Sequence, residues 1–156
     1  MAASLTSLVL GTVVRPVGFR VLQRILSMPM PNLTLLRLGK NFQVPSKKLI
    51  NIVGNCRNLS SLTMNDCKNI EGQDMMILTK LDKLKMLVLE YYSRYDQHTA
   101  DMLFLGFSIY APKLVHLLIS FSGISDTGVS RLADLKHLQT LELAGCRMLQ
   151  CYSKLY

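Results

Sequence analysis

Three histidines (His98, His116 and His137) and four cysteines (Cys56, Cys67, Cys146 and Cys151) are the residues best suited to act as bases, nucleophiles or metal ligands. Their spacing supports none of these roles. No CxxC pair and no Cys/His pair has the separation of a zinc site. No phosphate-cradling glycine loop, HExxH or GxSxG occurs. The histidines fall in separate segments: His116 outward-facing in a strand pattern, His137 just before a strand, and His98 in a long loop. The expectation is a non-enzymatic protein with no catalytic residue, cofactor or metal.

Two of the cysteines instead mark a repeat. Cys146 ends "LQTLELAGC" and Cys67 ends "LSSLTMNDC", and the same frame opens at Leu5, Leu33, Leu84 and Leu114. First leucines at Leu5, Leu33, Leu59, Leu84, Leu114 and Leu138 give a period between 24 residues (Leu114 to Leu138) and 30 (Leu84 to Leu114). That is close to the period of leucine-rich repeats, roughly 20–29 residues. The fourth and sixth positions alternate, so both face one side of a short strand. The first leucine packs inward where the chain enters the strand, and the ninth position turns the chain away. Val13 and Tyr92 stand at ninth positions where small residues are expected, so their turns are expected to be distorted.

Between strands the period becomes helical. "ISDTGVSRLADLKHL" offers Ser125 or Asp126 as a cap, with Val129, Leu132 and Ala133 as the inner stripe. "VPSKKLINIVGNCRNL" offers Ser46 as a cap and Leu49, Ile50, Ile52 and Val53 as the apolar set. "IEGQDMMILTKLDKL" and "RPVGFRVLQRILSMPMPNL" have the same form, and "DQHTADMLFLGFSIYAPKL" predicts an extended helix before a Pro112 turn. The predicted fold is α/β: a curved leucine-rich repeat solenoid of about six repeats forming a single domain over residues 1–156. Strands spaced about 4.8 Å apart inside and helices about 8–10 Å apart outside would make the strand face concave.

Composition suits one such unit, with 156 residues, 49% hydrophobic and 18% charged. The apolar run from Met102 to Pro112 is too short to span a bilayer. The net charge of +8 sits wholly in residues 1–65, which hold Arg15, Arg20, Arg24, Arg37, Lys40, Lys47, Lys48 and Arg57 and no acid. Without an aromatic stacking series, these cations are read as solvated helix faces and no nucleic acid is expected. The acid-free, Arg- and Ser-containing N-terminus leaves a mitochondrial transit peptide open. Leu5, Leu8 and Leu10, however, already fit the repeat. Cys67 and Cys146, three repeats apart, would lie about 14 Å from one another, beyond the reach of a disulfide. Reduced, structural cysteines point to the cytoplasm or nucleus. The sequons at Asn32 and Asn58 occupy equivalent turns and are read as turn residues.

The frame LxxLxLxxC, carried by "LAGCRML" and "MNDCKNI" together with "ISDTGVSRLADL", resembles the cysteine-containing, ribonuclease-inhibitor-like repeats of F-box/LRR proteins. The resemblance runs from Leu5 to about Gln150. It implies that the repeats hold a substrate for a ubiquitin ligase, which the family's separate F-box recruits. Repeat one begins at Leu5, so no F-box precedes it in this sequence. The expectation is a substrate-recognition part or a shortened form, with cullin ligase components reached through other chains. The alternative is a mitochondrial LRR assembly factor.

Third, fifth and seventh positions of the frame would face concave solvent. The candidate protein-binding residues are Arg37, Asn65, Val88, Glu90, His116, Leu118 and Glu142, with Tyr91 and Phe121 as aromatic anchors at strand ends. The strip they cover is about 300 Å², short of the roughly 800 Å² per partner of a standard interface. The flanking segment from Glu90 to Gln97 is therefore expected to contribute.

Overall fold

A computed structural model of the chain describes residues 4–11, 24–40, 46–65, 74, 76–90, 97–111, 113–120, 123–146 and 149. Six short strands, β1 (Ser7–Leu10), β2 (Leu35–Leu38), β3 (Ser61–Asn65), β4 (Met86–Glu90), β5 (His116–Ser120) and β6 (Thr140–Ala144), form one open sheet in sequence order. Every neighbouring pair is parallel. Helical segments alternate with them: α1 (Ser46–Asn55), a 3-10 turn (Met76–Lys80), α2 (Gln97–Tyr110) and α3 (Asp126–Leu132).

The register places each frame position in a row across the sheet. Leu8, Leu36, Leu62, Leu87, Leu117 and Leu141 are successive partners, as are Leu10, Leu38, Met64, Leu89, Ile119 and Leu143. In β2 to β5 these two rows are fully buried. They share one core with Leu49 and Ile52 of α1, Leu103, Phe104 and Phe107 of α2, and Leu132 of α3. Leucines at alternate positions thus define a helix-covered face and leave an open face. The first leucines Leu33, Leu59, Leu84 and Leu114 are buried as well. Burial fades at the ends: Leu8 and Leu10 are half-buried, and Leu141 is 40% exposed.

Side chains stitch successive crossings together. Thr34 Oγ1 donates to the Thr6 carbonyl (3.0 Å), and Ser60 Oγ donates to the Thr34 carbonyl (3.1 Å). Asn55 Nδ2 reaches the Leu26 carbonyl at 2.9 Å, and Asn58 Nδ2 reaches the Pro31 carbonyl at 2.7 Å. Asn58 Oδ1 also accepts from Lys83 Nζ, so this sequon residue bridges three crossings.

The helices depart from expectation in instructive ways. α3 is capped by Ser125, whose side chain accepts from the Gly128 N–H, and Asp126 lies in the first turn. Ala133, placed on the inner stripe, is exposed because the helix ends at Leu132. Ile50 is 58% exposed: α1 covers the sheet with Leu49 and Ile52, one helical row that Ile50 does not share. The segment after β3 contributes a 3-10 turn burying Leu78 and Thr79. α2 begins at Gln97, which puts His98 in its first turn and not in a loop. The rings of Phe104 and Phe107 lie 6.4 Å apart at 57°, a tilted pair at the centre of the helix layer. Among the described residues, no helix is long and apolar enough to cross a membrane. The ninth positions Val13, Asn41, Cys67, Tyr92 and Ser122 lie outside the described residues, as do Pro112 and most of the basic N-terminus.

Candidate functional site

The open face is built from three short rows. Its central row runs Val9, Arg37, Thr63, Val88, Leu118 and Glu142, each the register partner of the next. A second runs Ser7, Leu35, Ser61, Met86, His116 and Thr140. Asn65 pairs with Glu90 at the strand C-terminal edge.

Exposure along the central row is graded. Val9 is 57% exposed and Arg37 is exposed, whereas Thr63 and Leu118 are half-buried and Glu142 is again exposed. Val88 corrects the expectation of a solvent-facing residue: on the open face it is only 7% exposed. Flanked by Thr63 and Leu118 on the neighbouring strands, it is the closed centre of an apolar patch. Met86 at 39% exposure extends that patch toward the strand entries. His116 is exposed as expected, and its Nδ1 shares a 3.0 Å hydrogen bond with the Thr140 hydroxyl, which fixes the ring across β5 and β6.

Asn65 adds a polar feature. Its Oδ1 is buried without a hydrogen-bond partner among the described residues, a state that costs about 1–3 kcal/mol. Half-buried Glu90 stands beside it on β4. The register therefore gathers Arg37, Asn65, Val88, Glu90, His116, Leu118 and Glu142 on one surface. Tyr91 and Phe121 lie outside the described residues.

Burial pushes the Cys56 thiol up to about 11, which keeps it protonated and unreactive near neutrality. Cys146 is half-buried, and its thiol donates to the Ala144 carbonyl at 3.8 Å. Among the described residues, no group of three His, Cys, Asp or Glu side chains could hold a metal ion.

One cluster escaped the sequence reading. Lys85, Lys113, Lys136 and His137 belong to three separate crossings, yet they line a single cleft at the edge where the chain enters β4, β5 and β6. The signal lay in aligned columns, because "DKLK", "PKLV" and "KHLQ" place cations immediately beside the first leucine. A linear charge count hides it, since acids elsewhere in residues 66–156 balance these cations. Set against known proteins, the chain matches no family model and no curated protein.

Proposed function

We propose that the chain is a leucine-rich repeat solenoid of the cysteine-containing, ribonuclease-inhibitor-like type, binding a protein partner on the concave side of its sheet. The observation that carries this reading is the open-face register, which sets exposed Met86 and half-buried Leu118 around the closed Val88, with exposed Arg37, His116 and Glu142 about them. A desolvated apolar centre with a charged rim is how protein interfaces concentrate their binding energy. Parallel strands entered through buried leucines, with the described helices packed on one side, support the solenoid reading and its curvature.

In its specific form the chain serves as the substrate-recognition part of an F-box/LRR-type ubiquitin ligase receptor, or a shortened form of one. The "LAGCRML" and "ISDTGVSRLADL" motifs support this form, with cullin components joining through other chains. Affinity purification with quantitative mass spectrometry tests it. An Arg37→Glu, Leu118→Asp variant should lose the captured partner, while Met102→Asp, on the exposed side of α2, should keep it. Equal capture by both variants would overturn the binding face. Cullin components recovered with wild type would support the ligase form.

A further inference from the structure

The basic cleft at the strand-entry edge has the properties of a ligand site. It is an open groove of about 360 Å³, at the lower end of the range of about 300–1,000 Å³ typical of ligand sites. Its backbone frame is fixed by the sheet. Val115 and His116 N–H groups donate to the Lys85 carbonyl at 2.8 and 2.9 Å, and Gln139 and Thr140 N–H groups donate to the Val115 carbonyl at 2.8 and 3.1 Å. Parallel register thus stacks Lys85, Lys113, Lys136 and His137 on one edge although they come from distant parts of the chain.

The earlier crossings show what this edge looks like when it is self-satisfied. Thr34 and Ser60 occupy the position of Lys85, and each closes a bond to the preceding crossing. Asn58 occupies the position of Lys113 and His137 and is likewise bonded. In the later crossings cations replace these groups, and none of the three ammonium groups has a hydrogen-bond or ion-pair partner among the described residues. Among the described residues no acid lines the cleft; Asp82 and Asp134, in the same turns, are exposed outside it. Like charges gathered without counter-charges repel one another, and an anion would relieve that repulsion.

The rest of the lining narrows the ligand. Half-buried Val115 and Leu138 supply an apolar wall beside the cations. Among the described residues no Phe, Tyr or Trp lines the cleft, so it lacks the large aromatic platforms on which nucleic-acid strands stack their bases. Lysine acts as a mobile point charge, donating to phosphoryl or carboxylate oxygens without demanding bidentate geometry.

We propose that this cleft recognises an acidic peptide segment, seating a phosphoryl or clustered carboxylate group among Lys85, Lys113, Lys136 and His137 and an apolar side chain against Val115 and Leu138. The site lies at the sheet edge and does not depend on the open-face reading.

Fluorescence anisotropy with the full chain tests it, using one labelled leucine-containing peptide in three forms: phosphoserine, triglutamate and serine. The phosphoserine or triglutamate form, or both, should bind, with the serine form at least about tenfold weaker, as expected for loss of charged hydrogen bonds. Whichever anionic form binds identifies the source of the charge. Lys113→Gln with Lys136→Gln should weaken binding about tenfold or more, while Arg24→Gln with Lys80→Gln, which removes the same charge elsewhere, should change it less than about twofold. Amide shifts of Val115 and Gln139 on peptide addition report the location independently, and would decide the matter if the double variant failed to fold. The proposal is overturned if no anionic peptide binds, if both variant pairs weaken binding equally, or if the Val115 and Gln139 amides do not respond. Tighter binding of a single-stranded oligonucleotide than of either anionic peptide, lost in the same lysine variant, would reassign the cleft to nucleic acid.

Discussion

The carboxylate of Asp101 on α2 holds Ser125 twice, accepting its backbone N–H at 3.0 Å and its hydroxyl at 2.6 Å. Ser125 Oγ in turn accepts from the Gly128 N–H at 3.4 Å, so a single carboxylate anchors the N-cap of the next helix. Ser125 is buried, and removing Asp101 leaves two donors without partners. Asp101→Ala should destabilise the chain by about 1–3 kcal/mol. Asp101→Asn, which retains one acceptor, should cost less. Denaturant unfolding measures both, and a neutral Asp101→Ala would show that the latch contributes nothing.

Two helical glycines should respond unequally to alanine. A Cβ on Gly128 would lie 2.2 Å from Asp101 Oδ1 and 2.8 Å from Ile124 Cγ1. Relieving that overlap would break the Ser125 latch. A Cβ on Gly106 would meet Met76 Cε at 2.4 Å, but this is the free end of a flexible side chain. Gly128→Ala should therefore lower the thermal midpoint by several degrees. At Gly106 the helix propensity gained, up to about 1 kcal/mol, offsets much of the displacement. Equal loss in the two variants would contradict this.

Within the inward leucine row, stability should follow burial rather than residue type. Leu87→Ala and Leu117→Ala each open a cavity in a fully buried site and should cost about 2–5 kcal/mol. Leu141→Ala, at 40% exposure in the same row, should cost under about 1.5 kcal/mol. Chemical denaturation of the three variants distinguishes the cases, and an equal cost for Leu141 would place further cover over β6.

Cys56 should behave as a buried thiol. Its ordinary value of 9.0 is pushed up to about 11, so the folded state holds the proton more tightly than the unfolded chain. Its contribution is fully present below about pH 9 and is lost as pH rises toward about 11. Cys56→Ala should flatten the fall in denaturation midpoint across this window, although the lost packing lowers the midpoint itself. Thiol reagents at neutral pH should label Cys56 only as fast as the chain unfolds. Rapid labelling of native protein would show that the site is open.

The strands were legible because leucines at alternate positions recur in one frame, and parallel register turns that frame into the rows from Leu8 to Leu141. Helix faces were less legible. Ile50 and Ala133 are apolar neighbours of truly buried positions, and short helices bury a narrower stripe than their composition suggests. Val88 is buried on the open face, and its register partners Thr63 and Leu118 lie 25 and 30 residues away in the chain, so no local pattern reports its surroundings. The basic cleft was missed for the same reason: its three lysines and His137 converge only when three crossings stack.

The most direct test of the central claim is hydroxyl-radical footprinting of the chain with and without its captured partner. Protection should concentrate on Met86, His116 and Leu118 of the open face, while exposed Ile50, Met102, Ile109 and Tyr110 on the helical segments keep their reactivity. Protection of those helix residues, with Met86, His116 and Leu118 unchanged, would contradict binding through the open face.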